Sequence, residues 1–232
     1  MAEIAVIIPA LNEEKAIGKV LAHIPANIAS EIVVVDNNSS DATAEIARSL
    51  GATVAHESQK GYGFACLKGI EYVLSRLKKP DIIVFLDADY SDRPEDMTSL
   101  IQPIINQDYD MVIGSRLLGK YDKGAMPWHQ LFGNRLAIML INALYGVHYT
   151  DLGPFRAIKL DKLLKLDMKE QTYGWTAEMQ AKAARQRLRY LEVPVSYRAR
   201  IGSSKIAGTV KGTVCAGYNI IATLLKNRWA YD

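Results

Sequence analysis

Residues Ile82–Asp89 read Ile-Ile-Val-Phe-Leu-Asp-Ala-Asp: five apolar residues running straight into two carboxylates. An uninterrupted apolar run of this length, rich in β-branched and aromatic residues, suits a strand covered on both faces. In extended backbone, residues i and i+2 point the same way, so Asp87 and Asp89 can address one site.

The same pattern recurs on both sides of this stretch. Ile4–Ile8, Glu31–Val35, Thr53–Glu57 and Met111–Ile113 read as further strands, and Glu13–His23, Ala42–Leu50, Gly63–Leu77 and Glu95–Gln107 as helices between them. Asp41 is expected to cap the helix near Ala42, with Glu45 in its first turns. Pro94 is expected to open the next helix, because proline lacks the amide orphaned there. Strands alternating with helices predict an α/β fold, a mostly parallel sheet flanked by helices. Beyond Ser115 a Gly-, Lys- and Tyr-rich loop (Leu118–Pro127) leads to a long apolar helix, His129–Tyr145. Then come a strand near Phe155–Ile158, a helix near Trp175–Gln186, a strand near Tyr190–Tyr197 and a final helix, Ile206–Lys226. No repeat or linker divides the chain, so one domain is expected.

The totals exclude more than they assign. A chain of 232 residues with 49% hydrophobic and 23% charged residues is ordinary for a soluble globular protein. A net charge of +3 does not announce nucleic acid. Cys66 and Cys215 match no metal spacing and are expected as reduced core thiols, and the four scattered histidines suggest no zinc site. No basic region with a cleavable apolar stretch opens the chain, and no run of about 18 apolar residues would span a bilayer.

In an open parallel sheet, ligands collect at the carboxyl ends of the strands. Three such ends carry Pro9-Ala10-Leu11-Asn12-Glu13-Glu14, Asp36-Asn37-Asn38-Ser39-Ser40-Asp41 and Asp87-Ala88-Asp89. Two like charges as close as Asp87 and Asp89 are costly unless a cation or ligand donors offset them. Mg²⁺ or Mn²⁺, bound by one or two carboxylates plus diphosphate oxygens, would do so. Asp36 could accept hydrogen bonds from a ribose or base, or could form an Asx turn. Glu13 could serve a nucleotide or merely complement a helix dipole.

These residues resemble the inverting family 2 glycosyltransferases of GT-A (Rossmann-like) fold, nearest to dolichyl-phosphate mannose synthases and polyprenyl-phosphate glucosyltransferases. The matching stretches are VIIPALNEE (6–14), IVVVDNNSSDAT (32–43), KGYGFA (60–65), VFLDAD (84–89), MVIGSR (111–116), DLGPFRA (151–157) and VPVSYRARIGSSKI (193–206). They follow the family's order along nearly the whole chain.

The resemblance implies a nucleotide-sugar donor held in residues 1–115 and acceptor-side helices in residues 116–232. It assigns Pro9, Leu11, Glu13 and Asp36 to the base and ribose, and Lys60 and Gly61 to a loop nearing the nucleotide. Asp87 and Asp89 match the pair holding nucleotide and metal, Mg²⁺ or Mn²⁺. Arg116 and Arg135 look like cations facing an acceptor phosphate, and Arg200, Ser204 and Lys205 lie in a segment closing over the phosphates. Asp89 and Arg116 are thereby catalytic candidates, with Glu178 where hydroxyl-using relatives place a base.

Inverting transfer needs in-line attack while negative charge builds on the departing diphosphate, which a cation and nearby Arg or Lys stabilise. A hydroxyl acceptor needs a base such as Glu178. A phosphate monoester, with a second pKa of about 6, is already largely anionic and needs cations instead. Arg116, Arg135, Arg198, Arg200 and Lys205 supply them, favouring a polyprenyl phosphate acceptor. Glu178 keeps open a soluble hydroxyl acceptor or a role in orienting a loop. A non-catalytic nucleotide-sugar-binding module is a further alternative.

Three departures from the family pattern stand out. Ser91 replaces the Gln that often follows the metal pair, the acceptor segment reads Asp-Leu-Gly-Pro-Phe-Arg, and the processive Gln-x-x-Arg-Trp signature is missing around Gln180. In the last helix Ile206, Val210, Val214, Tyr218, Ile221 and Leu225 form an apolar stripe that is expected to pack on the domain. A lipid surface is its rival occupant, aided by Lys205, Arg228, Lys120 and Lys123. A cytoplasmic protein, peripheral to the membrane, is expected.

Overall fold

Seven apolar runs pair into one sheet in the computed structural model of the chain, which describes residues 2–202 and 210–229. The first part comprises β1 (Ile4–Ala10), α1 (Ile17–His23), β2 (Glu31–Asp36), α2 (Thr43–Ser49), β3 (Thr53–His56) and α3 (Tyr62–Ser75). β4 (Ile82–Phe85), a 3₁₀ turn (Pro94–Asp96), α4 (Met97–Gln107), β5 (Met111–Ser115) and α5 (Trp128–Tyr145) follow. The chain continues through β6 (Arg156–Lys159), α6 (Leu160–Leu166), α7 (Trp175–Arg185), β7 (Tyr190–Pro194) and α8 (Val210–Trp229).

The strand order is β3-β2-β1-β4-β6-β5-β7. Every pairing is parallel except those of β6, which runs against both β4 and β5. β1, β4 and β5 are buried along their whole lengths, as unbroken apolar strands should be when helices cover both faces. Alternation divides the core. Ile7 and Val33 pack with α3, α5, α7 and α8, whereas Ile8 and Val34 pack with α1, α2 and α4. Phe85 meets Trp175 edge-on at 5.9 Å, tying β4 to α7.

Several local expectations need correction. α1 begins at Ile17 rather than Glu13, because the Glu13 and Glu14 amides bond Thr43 Oγ1 and Asp41 Oδ2 of the β2–α2 loop. Asp41 does not cap α2: Ala42 holds that position, and Asp41 Oδ1 accepts from the Thr43 amide at 3.0 Å. Glu45 and Pro94 stand where expected. α6 follows β6 without an intervening loop and was not anticipated.

Among the described side chains of α8, which exclude those of Val210 and Val214, Thr223, Leu224 and Asn227 are buried, Ile221 and Leu225 of the expected stripe are half-buried, and Tyr218 is exposed. Ile206 lies outside the described residues. Cys66 is a free thiol in the core. Among the described residues, no helix is long and apolar enough to cross a membrane.

Candidate active site

β1, β2 and β4 run in parallel, so Ala10, Asp36 and the residues after Phe85 emerge at one edge of the sheet. Between these ends lies a cleft of about 360 Å³. Pro9, Leu11, Glu13, Lys60, Gly61, Asp87, Asp89 and Arg200 all line it, so the strand ends and the Arg200 segment do converge.

Asp87 and Asp89 face this common space, but each is held differently. Asp87 Oδ1 accepts the Tyr62 hydroxyl at 3.0 Å. Burial, and then the neighbouring Asp89 charge, push the Asp87 carboxyl up to about 7, against the pull of Tyr62, Arg200 and Arg116. Asp89 Oδ1 accepts the Ser91 amide at 2.9 Å and the Ser91 hydroxyl at 2.6 Å. Ser91 therefore orients Asp89 from behind. Arg200 bridges the cleft, 3.0 Å from Glu13 Oε1 and 3.2 Å from Asp89 Oδ2.

The Lys60–Gly61 loop is positioned by a residue the sequence reading did not single out. Asn37 Oδ1 accepts the Gly61 amide at 2.8 Å, and Asn37 Nδ2 donates to the Glu57 and Gln59 carbonyls at 3.1 and 2.6 Å. Asn37 lines the cleft, whereas its neighbour Asp36 is absent from the lining. Asp36 Oδ1 instead accepts the Ser39 amide at 3.2 Å, and Oδ2 faces His56 Nδ1 at 3.2 Å. Asp36 is thus held by its own loop and by His56, and Asn37 stands beside it on the cleft wall.

The far wall comes from the loop before α7. Thr172 and Tyr173 line the cleft, and the Gln171 and Thr172 carbonyls accept the amides of Phe64 and Gly63. A Cβ at Gly63 would fall on the Glu170 carbonyl, and one at Gly61 on the Gln171 carbonyl. The glycines of KGYGFA thus permit two backbones to touch.

Glu178 organises this loop. Its buried carboxylate accepts the Lys169 and Glu170 amides at 3.0 and 2.8 Å and pairs with Lys182 at 2.8 Å. Its oxygens are turned to these donors, so Glu178 anchors the loop that carries Thr172 and Tyr173 and stands outside the cleft lining.

The structure places the expected cations in different surroundings. Arg116 is buried and meets Asp151 through Nε at 2.8 Å and Nη2 at 2.7 Å, because a guanidinium out of water needs a partner. Its protonated form is held all the more firmly, and its charge is neutralised before any acceptor arrives. Arg198 lies 3.6 Å from the Tyr90 ring centroid and 3.8 Å from Glu95. Arg135 is exposed on α5, outside the cleft lining. Ser204 and Lys205 lie outside the described residues. Arg200 and Lys60 are the cations that the structure brings to the cleft among the described residues.

Four polar lining residues went unassigned in the sequence: Asn37, Tyr62, Thr172 and Tyr173. The first two lie inside quoted motifs, where a neighbouring charge drew the assignment. Asp92 was missed as well. It is buried, neither carboxyl oxygen meets a donor among the described residues, and burial with the Asp87 charge pushes its carboxyl well up.

Residues 5–166 match the family described as Glycosyl transferase family 2. The chain is 35% identical to the dolichyl-phosphate hexose transferase of Haloferax volcanii, over 97% of this chain and 96% of that relative. It is 29% identical to the undecaprenyl-phosphate mannosyltransferase of Micrococcus luteus, over 96% of this chain and 94% of that one. The fold is similar to that of a solved structure of glucosyl-3-phosphoglycerate synthase from Mycobacterium tuberculosis, crystallised with Mg²⁺ and uridine-diphosphate. That likeness has a TM-score of 0.78 at 21% identity, covering 100% of this chain and 81% of the other. With a family match over most of its length and relatives aligned from end to end, the chain belongs to glycosyl transferase family 2.

Proposed function

We propose that this glycosyltransferase moves a hexose from a nucleotide-sugar, of the UDP-glucose or GDP-mannose type, to a polyprenyl phosphate, with inversion at the anomeric carbon. The observation that carries the reading is the strand-end cleft, where Asp87 and Asp89 face one space while Glu178 is committed to loop amides. A site with paired carboxylates for the donor, and with Glu178 turned to loop amides, suits an acceptor that arrives as an anion. The names of the aligned relatives support a lipid phosphate.

Pro9, Leu11, Glu13, Asn37, Lys60 and Gly61 receive the nucleoside, with Asp36 bracing the loop beneath. The carboxylates suit a divalent cation: their mutual repulsion raises Asp87, and donor diphosphate oxygens complete a set that two protein groups begin. Mg²⁺ or Mn²⁺ held there offsets charge on the departing diphosphate. Ser91 fixes the Asp89 rotamer, Tyr62 fixes that of Asp87, and Arg200 stands ready to meet phosphate oxygens. Residues 1–115 form the donor half and residues 116–232 the acceptor half, the latter lending Thr172, Tyr173 and Arg200 to the donor cleft. The enzyme works at the cytoplasmic face of a membrane as a peripheral protein.

The test is a transfer assay with labelled UDP-glucose and GDP-mannose, polyprenyl phosphate in detergent, and Mn²⁺ or a chelator. Label should enter an organic-soluble product only with metal present. Transfer confined to soluble hydroxyl acceptors, or nucleotide binding without turnover, overturns the reading.

A further inference from the structure

The inner side of α5 is buried through Asn134, Ala137, Ile138 and Ile141, as a helix packed on a domain requires. Its outer side is not polar. Trp128 is 79% exposed, Phe132 64%, Met139 63% and Leu136 39%. At about 100° per residue, these four and Arg135 fall within one arc of roughly 100°, opposite the buried set. A helix that is apolar all round is ordinarily covered on every side, and a contiguous exposed apolar patch marks an interaction surface.

The charges around the patch indicate what covers it. α5 contains no Asp or Glu, and Arg135 is the charged residue on the outer arc. The loop entering the helix exposes Leu118 and Tyr121 beside Lys120 and Lys123, against a single acid, Asp122. Aromatic and aliphatic side chains flanked by lysine and arginine are suited to the boundary between acyl chains and anionic headgroups. A protein partner fits less well, since lysine is depleted in such interfaces.

The patch also adjoins the cleft. The loop leaves β5 at the edge where Asp87 emerges. It is tied to Tyr197, three residues before Arg200, by the Asp122 amide to the Tyr197 carbonyl and the Tyr197 amide to the Lys120 carbonyl, each 2.9 Å.

We infer that the outer face of α5 and its entry loop dock on an anionic lipid bilayer, bringing the cleft beside a lipid phosphate. This rests on the polyprenyl-phosphate reading and places lipid contact on α5, whereas the α8 stripe was expected to pack on the domain.

The experiment is flotation of the full chain with phosphatidylcholine vesicles, with and without phosphatidylglycerol, for wild type and for Phe132→Ser combined with Met139→Ser. Wild type should float with the anionic vesicles, and the double variant should bind at least about tenfold more weakly with an unchanged melting temperature. Its transfer to a short-chain polyprenyl phosphate in detergent should match wild type. The inference is overturned if the variant floats like wild type or if wild type binds no vesicle. It is equally overturned if the substitutions instead dissociate a dimer seen by sedimentation. Failed transfer by wild type in detergent counts against the acceptor reading alone, because flotation reads the surface separately.

Discussion

Asp87 carries a cost that its function requires. Its carboxyl is raised to about 7, so between about pH 4 and 7 the folded chain holds a proton that the unfolded chain has released. Native-state stability therefore falls as pH rises through that window and levels off above it. Without metal, the melting temperature of wild type should drop between pH 5 and 8, and Asp87→Asn should flatten the drop. The same variant should lose at least about 10²-fold in transfer rate if the carboxylate holds the metal and donor.

Glu178 predicts a different signature. Glu178→Gln removes an acceptor for the Lys169 and Glu170 amides and the partner of Lys182. The donor KM should rise several-fold as the Thr172–Tyr173 wall loosens, while the pH profile of kcat keeps its shape. Loss of an acid limb in that profile would restore Glu178 as a base.

At this scale the sequence was most legible where motif and strand end coincided, as at Pro9, Glu13 and Asp87. At Asp36, Arg116 and Glu178 it did not disclose the protein partners. Whether a charged residue faces a ligand or a protein partner depends on a group far along the chain: His56, Asp151 and the Lys169 amide respectively.

Among the elements, β1, β2, β4 and β5 were the plainest, because near-continuous apolar runs have few other uses in a chain of this length. α6 escaped because β6 passes directly into it, with no turn residue to mark the change. The antiparallel course of β6 was also hidden, since a four-residue strand carries no sign of its direction. The contact between α3 and the loop before α7 was equally silent, being made by backbone. It gives a sharp expectation for Gly63→Ala, whose Cβ would meet the Glu170 carbonyl. Overpacking of this kind costs about 1–3 kcal/mol. Because the displaced loop carries Thr172 and Tyr173, denaturant unfolding should show the loss together with weakened nucleotide binding in calorimetry.

For the whole molecule, ligand linkage joins the two halves. Arg200 and the Thr172–Tyr173 loop close a cleft whose floor belongs to β1, β2 and β4, so an occupied cleft should stabilise the entire chain. Nucleoside diphosphate with Mn²⁺ at about one hundred times its Kd should contribute about 2.7 kcal/mol, seen as a shift of several degrees in melting temperature. Either component alone should do markedly less, and equal shifts from nucleotide with and without metal would remove the cation from the donor site.

The reversal of β6 shapes the space available for chemistry. Because it is inserted between β4 and β5, the strand bearing the carboxylates and the strand feeding the Leu118–Pro127 loop stand two spacings apart, about 10 Å. The segment entering β6, with Asp151 clamped to Arg116, spans the interval from below. On the function proposed above, the gap between donor and acceptor has a width that backbone hydrogen bonds set, so side chains can change around it while that distance stays constant.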